Sequence, residues 1–492
     1  MNVLKAVLHG FDEFVLVYFL LLNTGYLFLI GLAGLDVAQT IRRIDFAGYD
    51  SIFANPLTPG VTVLVPAFNE EPTIVETVRG LLALRFPEFE VIVIDDGSTD
   101  NTFGRLQEEF GLVPIERVIP DDVPTIAPVN SVHAPNDGQA LLVIRKDNVG
   151  RRSDPMNVGI NAASYPLVCM IDADSLLDES ALLRVVKPFV DDPVRTIGSG
   201  GVIRAANGSE VASGRIIEPK MPKGWVARIQ IVEYLRSFLL GRTAWGRMSG
   251  LLILSGAFAM FRRDALVEVG GLDLHCLGED AELVARLHHA MRKEKRDYRF
   301  VFVSEPVCWT EVPDNLKVLG RQRRRWSRGL AEVLWKHRSM MGNPKYGFIG
   351  MVVLPYYLVF ELLGAVVELT GVFAVILGLF LGVVDLQFAG IFALTAIGYG
   401  ILLSFSALTV EEFSFHRYAA WKDLGAGLGA SLLENVGFRQ LHAWWRVRGL
   451  FNAITSTSKE WEDMPRSGFD EADVAGNAAA LVAAGAVGGA AR

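Results

Sequence analysis

The sequence predicts an α/β domain with a parallel sheet, carried between the helices of a membrane protein. Three observations predict it. From Val61 onward, short apolar runs alternate with stretches of helical spacing, and acidic residues stand where the short runs end. Much longer apolar runs lie on either side of that region. The chain of 492 residues is 51% hydrophobic, with a mean hydropathy of +0.32, too high for an ordinary soluble enzyme.

The first long run, Phe14 to Gly34, meets the ~20 apolar residues that a bilayer span needs. Asp12 and Glu13 precede it and no clear small-residue cleavage site follows, which argues against a signal peptide. Arg42-Arg43 beyond it places that end on the cytoplasmic side, so residues 1–45 read as a transmembrane helix with its N-terminus outside.

Residues 55–330 have the α/β texture. Val61-Thr62-Val63-Leu64-Val65-Pro66 reads as a buried strand, Thr73 to Leu84 as a helix, and Val91-Ile92-Val93-Ile94 as a second buried strand. Leu167 to Ile171 is a further strand. Strand, helix, strand implies parallel pairing with right-handed crossovers, and such sheets bind ligands at the carboxyl ends of their strands. Pro114 to Gly138, rich in Pro, Asn and Asp, reads as a surface insertion.

Residues 331–346 continue a basic amphipathic piece suited to a membrane surface. Residues 347–465 form the C-terminal membrane part. Phe348 to Val384 is mostly apolar and, at ~1.5 Å per residue, roughly 55 Å long, too long for one crossing of a ~30 Å core. Pro355 and Glu361 therefore suggest an interfacial or re-entrant helix before a span from Leu362 to Val384, with another from Phe388 to Val410. The link Asp385-Leu386-Gln387 lacks Lys and Arg and belongs outside, while His416, Arg417 and Lys422 mark a return to the cytoplasm. Leu424 to Leu441, interrupted by Glu434 and Asn435, reads as re-entrant or interfacial, because Arg446, Arg448 and Lys459 beyond it favour the cytoplasmic side. The Ala/Gly-rich tail, 466–492, reads as disordered.

The net charge of −8 gives no global case for nucleic acid. Three cysteines, Cys169, Cys276 and Cys308, are too few and too scattered for a disulfide framework or a zinc site.

Four motifs carry chemistry. Asp172-Ala173-Asp174 ends a strand with two carboxylates, a hard-oxygen pair suited to Mg2+ or Mn2+ beside a diphosphate. Asp95-Asp96-Gly97-Ser98 ends another, next to Phe68 and Glu70, and an aromatic face with a carboxylate acceptor suits a base such as uracil. Glu279-Asp280 opens a helix running through His288, where the N-terminus stabilises an anion. Gln322-Arg323-Arg324-Arg325-Trp326 offers a guanidinium for a diphosphate and a flat ring for a sugar. Each motif alone is as well read as a turn, a helix cap or a membrane anchor.

In this order, from about Val61 to Leu330 and more weakly to Phe469, the chain resembles the membrane-embedded, processive family 2 glycosyltransferases, the group containing cellulose, hyaluronan and poly-N-acetylglucosamine synthases. The resemblance implies a cytosolic GT-A (nucleotide-diphospho-sugar transferase) domain in a multi-pass protein of the inner (plasma) membrane. It implies transfer of a hexose, from UDP-glucose or UDP-N-acetylglucosamine, to a growing β-linked polysaccharide with inversion, and passage of the product across the membrane. Transfer of one sugar to a lipid acceptor is the alternative, and a non-catalytic membrane scaffold a third, since fold does not fix function. Carried over residue by residue, Asp280 is the catalytic base with Glu279 beside it, and Phe68, Glu70, Asp95, Asp96, Arg152, Asp172 and Arg325 bind the donor. Gln322, Trp326, Ser255 and Gly256 face the acceptor, and Asp174 with Asp172 takes the metal. Gln230, Glu233 and Tyr234 also resemble elements near the acceptor. Membrane lipid is an implied partner, and an accessory subunit is left open. Two departures stand out. Arg152 replaces the usual Lys before the Ser153-to-Asn157 string, and Gly278 stands where many relatives have Thr.

Overall fold

The computed structural model describes residues 2–43, 48–384, 386–415 and 421–455. Asp385, His416, Arg417, Lys459 and the tail 466–492, all used in the topology above, lie outside the described residues.

A mixed sheet of ten strands organises the α/β region. In chain order its strands are β1 (Val61–Ala67), β2 (Phe89–Asp96), β3 (Leu112–Ile115), β4 (Val129–Pro135), β5 (Leu141–Lys146), β6 (Leu167–Ile171), β7 (Ser175–Leu177) and β8 (Thr196–Ala205). A separate hairpin, β9 (Glu210–Ala212) and β10 (Arg215–Glu218), intervenes before β11 (Phe258–Arg262) and β12 (Arg299–Thr310) complete the sheet. The spatial order is β3-β4-β5-β2-β1-β6-β11-β8-β12-β7.

The parallel pairing expected from the sequence holds at the centre, where β1 lies parallel to both β2 and β6, and β2 to β5. Helices Ile74–Leu82 and Ser153–Ala162 supply crossovers there. The sheet is not parallel throughout: β11 is antiparallel to β6 and β8, and β12 antiparallel to β7. The central strands are buried, because helices cover both faces. Pro114 to Gly138 is more than a surface insertion. Its ends pair as β3 and β4, antiparallel, and extend one edge of the sheet. Pro114 lies in the edge strand β3, and Pro135 ends β4 beyond its pairing with β5, so neither costs the sheet a hydrogen bond to that side.

Among the described residues, three helices are long and apolar enough to cross a membrane: Leu8–Arg42, Ile349–Phe380 and Leu386–Glu412. The first belongs to a continuous helix, Asn2–Arg43. Polar side chains tie it to the others. Tyr18 donates to Val359 O (2.9 Å), Asn23 to Thr395 O (2.9 Å), and Tyr26 to Glu361 Oε1 (2.8 Å). The break expected near Pro355 and Glu361 does not occur. The backbone stays helical through wider π turns at Ile349–Val353 and Tyr357–Leu362, which absorb the hydrogen bond that Pro355 cannot make. The interruption at Glu434-Asn435 is displaced by two residues to Val436-Gly437, where Gly437 takes φ +88°, and the helix Arg439–Thr455 follows.

One ion pair joins the sheet to the membrane part. Arg204 on β8 holds Glu411 at 2.6 Å, and both are almost fully buried. Arg204→Met should destabilise the protein by about 3–5 kcal/mol, because it leaves Glu411 buried without its counter-charge. The double change Arg204→Met with Glu411→Met should recover most of that loss. Thermal unfolding of the detergent-solubilised variants checks both, and equal midpoints for the single and double variants would contradict the assignment.

Candidate active site

The carboxyl ends of β1, β2 and β6 open onto one cavity of about 1180 Å3. Phe68, Glu70, Asp96, Arg152, Asp172, Asp174, Ser255, Gly256, Glu279, Asp280, Gln322, Arg325 and Trp326 all line it. Residues up to 258 positions apart in the chain are thus brought to one wall (Phe68 to Trp326).

Arg152 sits at the centre of the charges. Its Nη2 donates to Asp172 Oδ1 at 2.7 Å and to Gly256 O at 2.9 Å, and its Nη1 lies 3.4 Å from Glu279 Oε1. Burial by itself would lower the Arg152 pKa, but the carboxylates of Asp172, Glu279 and Asp280 more than offset it and hold the guanidinium charged. Burial pushes the Glu279 carboxyl up, with Arg152 pulling it back. Gly256 serves both charges: its N–H donates to Asp280 Oδ2 at 3.3 Å. A Cβ at Gly256 would lie 2.8 Å from Arg152 Nη1 and would push the guanidinium out of its present position.

Asp280 stands in the first turn of helix Glu279–Lys293, where the orphan N–H groups favour an anion. Asp174 is buried and accepts from Thr310 Oγ1 at 3.2 Å. Gly278 has a steric reason. It crosses Gly329 so closely that a Cβ on either would lie about 3 Å from the other's backbone. That crossing locks the Glu279-Asp280 turn against helix Leu316–Lys336.

Helix Leu316–Lys336 begins at the cap Asn315, whose Oδ1 accepts from Val318 N at 2.9 Å. Gln322, Arg325 and Trp326, spaced i, i+3, i+4, share its cavity face. The motif therefore lies inside a helix of 21 residues that ends at Lys336, and short 3-10 turns, Arg338–Met340 and Pro344–Tyr346, follow instead of an amphipathic helix to 346. Trp326 remains 43% exposed, enough to offer a ring face. Arg323 lies over that ring at 4.4 Å and is itself held by Glu233 at 2.8 Å.

Two sequence-derived residues are not on the wall. Asp95 is buried behind it, accepting from Ser98 N (3.0 Å) and Arg145 Nε (3.2 Å), so its carboxylate shapes the loop rather than the cavity. Gln230 is also buried and donates to Pro313 O at 2.7 Å. Two other residues escaped the sequence reading. Asn69, at φ +56°, accepts from Thr99 N (2.8 Å) and stitches the β1 end to the β2 end. Lys146, fully buried, bridges Asp96 and Asp154, each at 2.7 Å. A lysine closing the apolar run Leu141 to Ile144 was the available signal.

Asp96 carries a pH dependence. Burial, opposed by Lys146, pushes its carboxyl up to about 6. The folded chain therefore holds this proton more tightly than the unfolded chain. The stability this group contributes is complete below the ordinary carboxylate range and is lost as pH rises toward about 6. Asp96→Asn removes that loss. Its advantage over the unaltered chain in denaturation midpoint should grow between pH 4 and pH 6.5, and a constant difference would overturn the assignment.

Residues 59–329 match the family model described as "Glycosyltransferase like family 2". The chain is 28% identical over 275 residues to the poly-β-1,6-N-acetyl-D-glucosamine synthase of Staphylococcus aureus (strain COL), covering 56% of this chain and 55% of the relative. It is 27% identical over 280 residues to the synthase of the same name from Staphylococcus epidermidis, with the same coverage. The chain thus spans about half the length of the curated relatives it matches. A solved mannosyltransferase from Pyrobaculum calidifontis, in complex with GDP-mannose and Mn2+, is 16% identical with a TM-score of 0.45, covering 89% of this chain and all of that one. The family match takes in every strand of the sheet and all four motifs, so the chain belongs to glycosyltransferase-like family 2 and its sheet is that of a GT-A fold.

Proposed function

We propose that this protein is an inverting, UDP-sugar-dependent glycosyltransferase that extends a β-linked polysaccharide and passes it through its own membrane helices. One observation carries the reading. The cavity lined by Asp172, Asp280 and Trp326 is also lined by Tyr26, Phe360, Glu361, Leu403 and Arg439 of the helices flanking the sheet. A site for one soluble transfer has no need of such a continuation. The name of the curated relatives supports UDP-N-acetylglucosamine over UDP-glucose as donor.

In this reading the uracil lies between Phe68 and Asp96, and the diphosphate lies against Arg152 and Arg325. An acceptor hydroxyl stacked at Trp326 attacks the anomeric carbon and Asp280 takes its proton. The bond from that carbon to the diphosphate oxygen breaks, and UDP leaves with the electron pair, its charge held by the two guanidiniums. One displacement inverts the anomeric centre. Glu279 keeps Arg152 turned toward the diphosphate.

The residues fit a divalent cation. Asp174 and Asp172 offer hard oxygen ligands on the wall, and among the described residues no cluster of three His, Cys, Asp or Glu exists to complete a protein-only shell. That suits Mg2+ or Mn2+, which is held by one or two carboxylates plus substrate phosphates. When bound, the cation would neutralise diphosphate charge. The basic flank at Arg42 and the spans support a plasma-membrane protein with the α/β region in the cytosol.

A donor screen tests the reading. Inside-out membrane vesicles given labelled UDP-N-acetylglucosamine with Mg2+ or Mn2+ should release UDP and build a long ladder, while sealed right-side-out vesicles and EDTA-treated samples should not. A single labelled lipid in place of the ladder would assign the alternative acceptor, and full activity in EDTA would remove the metal. Asp280→Asn should lower the transfer rate ~10²–10⁴-fold and leave UDP affinity near that of the unaltered chain. Loss of UDP binding would instead make Asp280 a donor-site residue.

A further inference from the structure

Most guanidiniums on the cavity wall have a carboxylate to hold. Arg152 has Asp172, Arg236 has Glu434, Arg323 has Glu233, Arg439 has Glu368 and Arg446 has Glu361. Arg242 differs. Among the described residues it forms no ion pair or hydrogen bond, its Nη1 is buried without a partner, and its contact is the Phe238 ring, 3.8 Å from centroid to guanidinium carbon. It ends the π-helical segment Leu235–Arg242, and such segments gather at functional sites because the extra residue in the turn re-aims the side chains after it. Trp245, Tyr357 and Asp280 line the same cavity.

Arg242 is half-buried, but its Nη1 is shut away from water without a partner, and such a donor is costly unless something arrives to accept from it. The lowered pKa of Arg242 reports the same loss of water, partly offset by Tyr357, Asp280 and Tyr234. Asp280 is the acid that acts on Arg242, and it acts on Arg325 as well, there alongside Glu279 and Asp172.

We propose that Arg242 is an acceptor-binding residue, donating to a neutral oxygen, hydroxyl or amide carbonyl, of the terminal sugar whose hydroxyl Asp280 deprotonates. The proposal rests on the glycosyltransferase reading above. Neutral sugar is favoured over an anionic one because carboxylates outnumber guanidiniums on the cavity wall, so a uronate or phosphate would meet net repulsion.

The test uses the purified full-length protein in nanodiscs, with UDP-N-acetylglucosamine as donor and a β-1,6-linked N-acetylglucosamine pentasaccharide as acceptor. Arg242→Met fills similar space without charge. It should raise the acceptor KM about 10- to 100-fold, the size of hydrogen bonds to a charged donor, keep UDP affinity within about twofold, and keep or raise the thermal midpoint. Arg242→Lys, which keeps the charge but not the fork, should fall between. An unchanged acceptor KM would overturn the proposal, as would weakened UDP binding, which would put Arg242 on the donor side. A lowered midpoint with both constants worsened would overturn it in favour of a structural role. A uronate-ended acceptor preferred by the unaltered chain, with that preference lost in Arg242→Met, would overturn the neutral-sugar assignment. No transfer by the unaltered chain from any UDP-sugar would overturn the underlying reading instead.

Discussion

The site depends on one buried guanidinium. Arg152 touches Asp172 from the β6 end, Gly256 from the loop before β11 and Glu279 from the helix beyond it. Remove it and three carboxylates, Asp172, Glu279 and Asp280, would face one another across a cavity with little water to screen them. Remove the carboxylates and the cation would be stranded. Each partner is tolerable only because the others are present, so the cluster forms as a unit or not at all. Arginine in place of lysine suits this arrangement. A point charge could pair with one carboxylate, whereas the planar fork reaches Asp172, Gly256 O and Glu279 from one position.

That cluster is kept in register by close backbone approaches more than by apolar packing. Gly256 leaves room for the Arg152 fork, and Gly278 and Gly329 cross without side chains between them. On the far side of helix Leu316–Lys336, Gly320 abuts Trp445 and Gly449 abuts Arg324 O. The helix that carries Gln322, Arg325 and Trp326 is thus clamped between the Glu279-Asp280 turn and a helix of the membrane part. The sheet, the Glu279-Asp280 turn and the membrane helices share one rigid element, which explains why the cavity wall draws on all of them.

Much of this was legible in the sequence because the chemistry sits at strand ends. An apolar run followed by acids, as at Ile94-Asp95-Asp96 and Ile171-Asp172, reads directly as a strand delivering carboxylates to an edge. Periodicity could not say which of two adjacent acids turns inward. Asp95 and Asp96 lie on opposite faces of β2, and Asp96 is the one on the wall. Partners remote in sequence were likewise hidden. Lys146 finds Asp96 because β2 and β5 are paired in register, and Arg204 finds Glu411 across 207 positions. The membrane part was harder still. Uniform apolarity erases the periodicity that marks boundaries, so Pro355 suggested a break where π turns keep the helix continuous.

The polar groups among the membrane helices obey the same logic as Arg152. A lone carboxylate in that environment is costly, and intramembrane ionisable residues face a cavity or one another. Here they do both. Glu361 meets Arg446 and Tyr26, Glu368 meets Arg439, and Glu434 meets Arg236 and Ser404, and all three clusters touch the cavity. Paired charges on the wall present dipoles rather than net charge, and dipoles can be traded for hydroxyl hydrogen bonds without stranding an ion. In the proposed function, a wall built this way would hold a neutral polyhydroxyl chain at many points and bind it tightly at none, as a chain that moves requires. The guanidinium that stands outside this pairing, Arg242, lines the same cavity as Asp280, and the proposed reading places the acceptor there.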